Sequence, residues 1–178
     1  MRYSSDEYVK AYIKNGSFPK IHEDIALVAR KMPDAGKLSA IDLGACTGLL
    51  TKRMSLFFKS VTGIESSDDY ISRSVPGVNI KIFRITPDNV SKLGALISGY
   101  DAIIARRVFP ELHDAKVANF LPPIFYKAGI KYILLEGRKK VKRPANPLWN
   151  ADLEARLFSE YYTVIEQYKE IRLLRRNP

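Results

Sequence analysis

Along the 178-residue chain the apolar positions change rhythm several times. Two helical stretches are predicted first, over 7–14 and 23–32. In the second, Ile25, Val28, Ala29 and Met32 recur three and four apart and make one apolar face. Residues 15–22, which include Asn15, Gly16 and Pro19, read as a loop between them, and Pro33-Asp34-Ala35-Gly36 stops the second helix.

From there short β-rich runs over 38–43, 61–65, 79–83, 102–105 and 130–135 alternate with helical patterns over 49–58, 68–74, 88–98, 112–125 and 150–159. Pro122 and Pro123 are expected to break the fourth of those helices early. The tail, 162–167 and 170–175, reads as two strands joined by a tight turn at Tyr168-Lys169. Strands separated by helices imply parallel βαβ units, and right-handed crossovers make an α/β, doubly wound, mostly parallel sheet the simplest packing. The terminal hairpin adds an antiparallel element to one side. A single domain over 1–178 is expected, with an N-terminal helical cap (1–37) and an α/β core (38–178).

Composition narrows this little. With 46% apolar and 27% charged residues the chain is globular rather than disordered or collagen-like. One cysteine, Cys46, excludes an internal disulfide. No run approaches a membrane span, and acids stand where a signal peptide needs an apolar segment, so a cytoplasmic location is expected. Twenty-nine Lys and Arg against nineteen Asp and Glu give +10, a balance that favours anionic partners.

The sharpest local pattern is Asp42-Leu43-Gly44-Ala45-Cys46-Thr47-Gly48, where a strand ends and a helix begins. Gly44 suits the tight turn, Gly48 close approach at the helix start, and the turn amides suit a polar or anionic group. Glu65 closes the next strand, where a carboxylate can accept two hydrogen bonds from a ribose diol. The plainer alternative is that both glycines only turn the chain. No Gly-x-x-x-x-Gly-Lys run exists, so this is not a triphosphatase loop.

These residues, with Glu65 on the following strand, resemble the first motif and acidic ribose site of class I S-adenosylmethionine-dependent methyltransferases. The resemblance implies a Rossmann-like, seven-stranded sheet whose last two strands form a hairpin, and S-adenosyl-L-methionine as cofactor. It places Gly44, Ala45, Cys46 and Gly48 beneath the methionine portion, Asp42 near the methionine amino group, and Glu65 on the ribose hydroxyls. Ala105, at the end of the fourth strand, also borders the cofactor. The family often has glycine where this chain has Cys46. Many members carry an acid for the adenine amino group directly after the third strand; here Arg84-Ile85-Thr86-Pro87 intervenes, and either Asp88 or backbone groups serve.

The fourth strand runs into Ala105-Arg106-Arg107-Val108-Phe109-Pro110-Glu111-Leu112-His113, beside the expected acceptor cavity. The Asn/Asp-Pro-Pro-aromatic signature of amino-methylating nucleic-acid enzymes is missing there, as is the Lys-Asp-Lys-Glu set of ribose methyltransferases. Arg106, Glu111 and His113 are the catalytic candidates. Arg107 and Phe109 are candidate acceptor contacts, as is His22 on the N-terminal segment. The bland alternatives are a surface arginine pair, a helix cap and packing residues. Nothing has zinc spacing, so no metal is expected.

Arg138, Lys139, Lys140, Lys142 and Arg143 crowd a six-residue span after the fifth strand, with Trp149 beyond it. Such a stretch pairs with backbone phosphates, or is simply a solvated loop. RNA or DNA is therefore the first acceptor expected. A small-molecule or protein acceptor, and a non-enzymatic binding or regulatory member, remain the alternatives.

Overall fold

The computed structural model describes residues 7, 10, 17–137 and 150–178. The expected first helix, apart from Glu7 and Lys10, lies outside the described residues. So do Arg138, Lys139, Lys140, Lys142, Arg143 and Trp149.

Seven strands form one sheet: β1 (Ser39–Leu43), β2 (Ser60–Glu65), β3 (Asn79–Ile82), β4 (Ala102–Arg106), β5 (Tyr132–Glu136), β6 (Tyr162–Tyr168) and β7 (Ile171–Arg176). Their order is β3-β2-β1-β4-β5-β7-β6. The first five are parallel; β7 pairs antiparallel with both β5 and β6. This is the Rossmann-like, mostly parallel seven-stranded sheet expected, with the hairpin inserted so that β6 forms the edge. The central strands β1, β4 and β5 are buried almost throughout, as continuous apolar runs between two helical layers must be.

The helices are α1 (Ser17–Ala29), α2 (Leu49–Met54), α3 (Asp68–Ser72), α4 (Lys92–Ile97), α5 (Phe109–Asp114), α6 (Leu121–Lys127) and α7 (Ala151–Leu157). On one sheet face, Ile41, Leu43, Ile103, Ile133 and Leu135 pack with Leu93, Phe125 and Phe158. On the other, Ala40, Ile104, Leu134 and Leu173 pack with Ile25, Val28 and Ala29 of α1 and Leu50 and Met54 of α2. Strand alternation therefore puts Asp42, Arg106 and Glu136, in phase with Ala40, Ile104 and Leu134, on the α1–α2 face.

Three boundaries differ from the sequence expectation. The supposed loop 15–22 is helical from Ser17. Pro19 falls in the first turn, where its missing N–H forfeits no intrahelical bond. The expected helix over 112–125 is two helices separated by a 3-10 turn, Ala118–Phe120. Lys116 adopts φ 58°, Val117 N–H donates to the Leu112 carbonyl at 2.9 Å and Lys116 N–H to that of His113 at 2.8 Å, closing α5 in a Schellman motif. Pro122 and Pro123 start α6 rather than break it. The helix expected over 88–98 is confined to Lys92–Ile97. Ahead of it, Asn89 Oδ1 accepts from Thr86 N–H at 2.9 Å and its Nδ2 donates to the Arg84 carbonyl at 2.8 Å, which closes a turn instead. Among the described residues no helix is long and apolar enough to cross a membrane.

Candidate functional site

The carboxyl ends of β1, β2, β4 and β5 meet at one edge of the sheet. After β1 the chain turns through three residues with positive φ: Gly44 at 78°, Cys46 at 50° and Gly48 at 79°. The turn is pinned to β2. Gly44 and Ala45 N–H groups share the Ile64 carbonyl at 2.9 and 3.1 Å. This close approach depends on Gly63, where an added Cβ would lie 2.7 Å from the Ala45 Cβ. At Gly44 an added Cβ would meet Val108 Cγ2 at 3.1 Å, and at Gly48 it would meet Val78 Cγ2 at 2.9 Å.

Glu65 is buried beside the turn. Its Oε2 accepts the Cys46 N–H at 2.9 Å, while Oε1 accepts the N–H groups of Ser66 at 2.7 Å and Ser67 at 3.0 Å. The carboxylate thus stands at the glycine turn, and Oε2, with one bond, keeps acceptor capacity. Asp42 is fully buried one strand away and accepts from Thr51 Oγ1 of α2 at 2.6 Å. Burial pushes its carboxyl up to about 6, against the opposing pull of the Thr51 hydrogen bond and the Arg106 guanidinium. Burial, with Glu65 and Asp42 adding to it, pushes the Cys46 thiol up to about 12, so it is a neutral thiol rather than a nucleophile at neutral pH.

Arg106 and Glu136 are directly paired across β4 and β5. Glu136 receives Arg106 Nε at 3.5 Å and Arg107, whose Nε lies 3.2 and 3.1 Å from its two oxygens and whose Nη2 lies 3.0 Å from Oε1. Burial raises the Glu136 carboxyl, while both guanidiniums pull it down. Arg107 is bent back onto Glu136 from a left-handed backbone, φ 54°, with its N–H on the Glu136 carbonyl at 2.8 Å. From α1, His22 comes to the same face, buried. Burial first, then Arg106, lowers its imidazole to about 3, so the ring is neutral.

The fold therefore gathers Asp42, Gly44, Ala45, Cys46, Gly48, Glu65, Arg106, Arg107 and His22, with Ala105 buried beneath them. It does not gather the rest. His113 is exposed on α5 and Asp88 in the turn that Asn89 closes; Glu111 is exposed on α5 too, but near enough to Cys46 that its charge adds to the rise of that thiol. Phe109 is wholly buried, edge-to-face on Phe158 at 5.6 Å, a core ring on the other face of the sheet. Sequence reasoning missed Gly63, Thr51 and Glu136. Of these only Glu136, a carboxylate closing an apolar strand as Glu65 does, had a readable signal.

The residues at the turn fit a sulfonium nucleoside. The amides of Gly44, Ala45, Cys46 and Gly48 are held by the Ile64 and Ala45 carbonyls and by Glu65, so what the turn offers a ligand's hydroxyls is the acceptor capacity left on Glu65 Oε2. The Thr47 hydroxyl is buried there with no hydrogen-bond partner among the described residues.

No family model matches the chain, and no curated protein matches it. Solved structures do. A Thermoplasma acidophilum protein, 1320, aligns at 19% identity and TM-score 0.61 over 88% of this chain and 85% of its own. The N-methyltransferase NodS from Bradyrhizobium japonicum WM9 aligns at 14% identity and TM-score 0.67, over 93% of this chain and 99% of NodS. Magnesium protoporphyrin IX methyltransferase (ChlM) from Synechocystis PCC 6803, crystallised with bound SAH, aligns at 14% identity and TM-score 0.61, over 96% and 87%. At these identities the likeness is one of fold, and the chain has the Rossmann-like fold in which NodS and ChlM are built.

Proposed function

We propose that this chain is an S-adenosylmethionine-dependent methyltransferase acting on a small-molecule acceptor. The observation that carries the reading is Glu65: a buried carboxylate at the end of β2, hydrogen-bonded to the Cys46 amide of the glycine turn. A ribose diol is a natural partner for its Oε2, and the turn between Gly44 and Gly48 lies where the rest of the nucleoside would run. NodS is by name an N-methyltransferase, and ChlM, by name a magnesium protoporphyrin IX methyltransferase, supports a small acceptor. The RNA or DNA reading rested on the net charge of +10 and on the basic run 138–143, which lies outside the described residues.

When bound, S-adenosylmethionine supplies an electrophilic methyl, whose C–S electron pair stays with the thioether as an acceptor atom takes the carbon. The chain's own work in this reading is positioning and exclusion of water. Glu65 holds the sugar, the Thr47 hydroxyl faces polar groups, and α1 covers the sheet face beside the site. Glu111 and His113 are exposed on α5 and neither is assigned as a base. An acceptor that enters with a free lone pair needs none.

A non-catalytic nucleoside-binding role is the second reading. It is favoured by the β4 edge, where Arg106 and Arg107 close on Glu136 and Val108 lies against Gly44. Calorimetry with S-adenosylmethionine, S-adenosylhomocysteine and NAD, followed by radiolabelled methyl transfer to small-molecule extracts, separates the cases. Binding of the first two with label transfer is the expected result. Binding without transfer selects the second reading, and binding of NAD alone overturns the methyltransferase reading.

A further inference from the structure

Register puts a cation beside the glycine turn. Leu43 pairs with Ala105 across β1 and β4, so Arg106 stands level with Gly44, one strand away, about 4.8 Å in the sheet direction. Its side chain is only 10% exposed, on the same sheet face as Asp42 and Glu136. Its field reaches Asp42, Cys46, His22 and Glu136, since it contributes to the protonation balance of all four. The charges around it include Asp42 and Glu65 toward the turn, Glu111 of α5 near Cys46, Glu136 and Arg107 toward β5, and a neutral His22 from α1.

Building on the reading above, we propose that Arg106 sets the charge selectivity of the nucleoside site, disfavouring the cationic sulfonium relative to the uncharged thioether. The methylated and demethylated cofactors share adenine, ribose, ammonium and carboxylate, so whatever Arg106 does to those groups cancels between them. They differ by one positive charge at sulfur. A buried guanidinium level with the glycine turn would act on a charge held there through a medium far less polarisable than water. The effect on the affinity ratio is on the order of tenfold. Glu136 moderates it by lying against the guanidinium.

The test is calorimetric titration of the intact chain and its variants with S-adenosylmethionine, S-adenosylhomocysteine and adenosine. In Arg106→Met the Kd ratio of sulfonium to thioether is expected to fall about tenfold, with adenosine affinity unchanged; in Arg106→Lys the ratio holds. Glu136→Gln, which leaves the arginine in place, is expected to raise the ratio. Arg106→Gln, which keeps a polar side chain against Glu136, decides the matter if Arg106→Met does not fold, and is expected to lower the ratio as Arg106→Met does. A ratio that stays constant in the folded variants while both cofactors bind overturns the charge role and leaves the proposed function standing. Wild-type protein that binds none of the three overturns the proposed function, and this inference with it.

Discussion

Replacing Glu65 by Gln separates what this residue does for the fold from what it does for a ligand. In the ligand-free protein its two oxygens accept three backbone N–H groups, from Cys46, Ser66 and Ser67, at 2.7 to 3.0 Å. Hydrogen bonds to a charged acceptor contribute about 1.5–3 kcal/mol each, and a buried donor left without one costs about 1–3 kcal/mol. Gln keeps one acceptor oxygen. Its NH2 must face either the Cys46 amide or the Ser66–Ser67 pair, donor against donor. The expected loss is about 2–3 kcal/mol, which for a domain of this length lowers Tm by roughly 5–10 °C. Thermal and urea unfolding without any ligand measure it directly. Calorimetry on the same variant then reads the additional loss of nucleoside binding. A ligand-free Tm within about 1 °C of wild type would refute the reasoning, since it would mean that the amides find other acceptors and the carboxylate is not part of the turn.

Other perturbations probe the same edge and its supports. Gly63→Ala forces a Cβ to within 2.7 Å of the Ala45 Cβ and 3.0 Å of Ile80 Cγ1; it is expected to cost about 1–3 kcal/mol, seen as a lower urea midpoint. Asn150→Ala removes the Oδ1 that accepts from the Asp152 and Leu153 N–H groups at 3.0 and 3.1 Å. It is expected to cost about 1 kcal/mol by the same assay. The pH dependence carries two opposed contributions. Asp42, raised to about 6, makes the folded state bind more protons than the unfolded one between about 4 and 6, so its contribution falls as pH rises through that window. His22, lowered to about 3, does the reverse, and its contribution rises with pH from about 3 to 6.5. Between pH 4 and 6 the two nearly cancel. Asp42→Asn should therefore expose a positive stability slope and His22→Gln a negative one, each about 1.4 kcal/mol per pH unit at most. Equal slopes in both variants would show that neither group titrates as assigned.

The strand succession and the glycine turn were legible because their signals are local. Apolar runs of β-branched residues bounded by Gly, Asp and Glu identify buried parallel strands, and Gly44 and Gly48 do occupy left-handed positions. The ends of helices were less legible where a residue other than glycine takes that conformation. Lys116 terminates α5 as a glycine would, with Val117 and Leu112 buried across the motif, yet nothing in the lysine announces it. By contrast Gly129, at φ 84°, ends α6 where a reader looks for it. Asp88 and Asn89 show a related limit: both are turn formers, and only three-dimensional closure shows that Asn89 makes the bonds while Asp88 faces solvent. At the site, Glu65 was readable as the terminus of a strand. The partnership of Glu136 with two arginines was not, because it depends on β5 lying beside β4, a register that separates the partners by about thirty residues of chain.

The two faces of the sheet explain why the charged groups collect where they do. One face packs Phe109, Phe125, Phe158 and Tyr162 into a cluster, with the Tyr162 hydroxyl donating to the Ile130 carbonyl at 3.1 Å. At its margin Arg172, level with Leu135 on this face, is buried and pairs with Asp152 of α7 at 2.7 Å. On the α1–α2 face the apolar packing stops one residue short of the carboxyl edge, and Asp42, Arg106 and Glu136 continue the same alternation that put Ala40, Ile104 and Leu134 in the core. Burying ions is costly unless each is compensated. Here each one is: Asp42 by Thr51 from α2, Glu136 by both arginines, and Arg106 by Glu136 with Asp42 near enough to feel its field. A row of charges kept at this edge, where apolar residues would have been cheaper, is what a sheet needs if the surface beyond its strand ends is to discriminate ligands by charge.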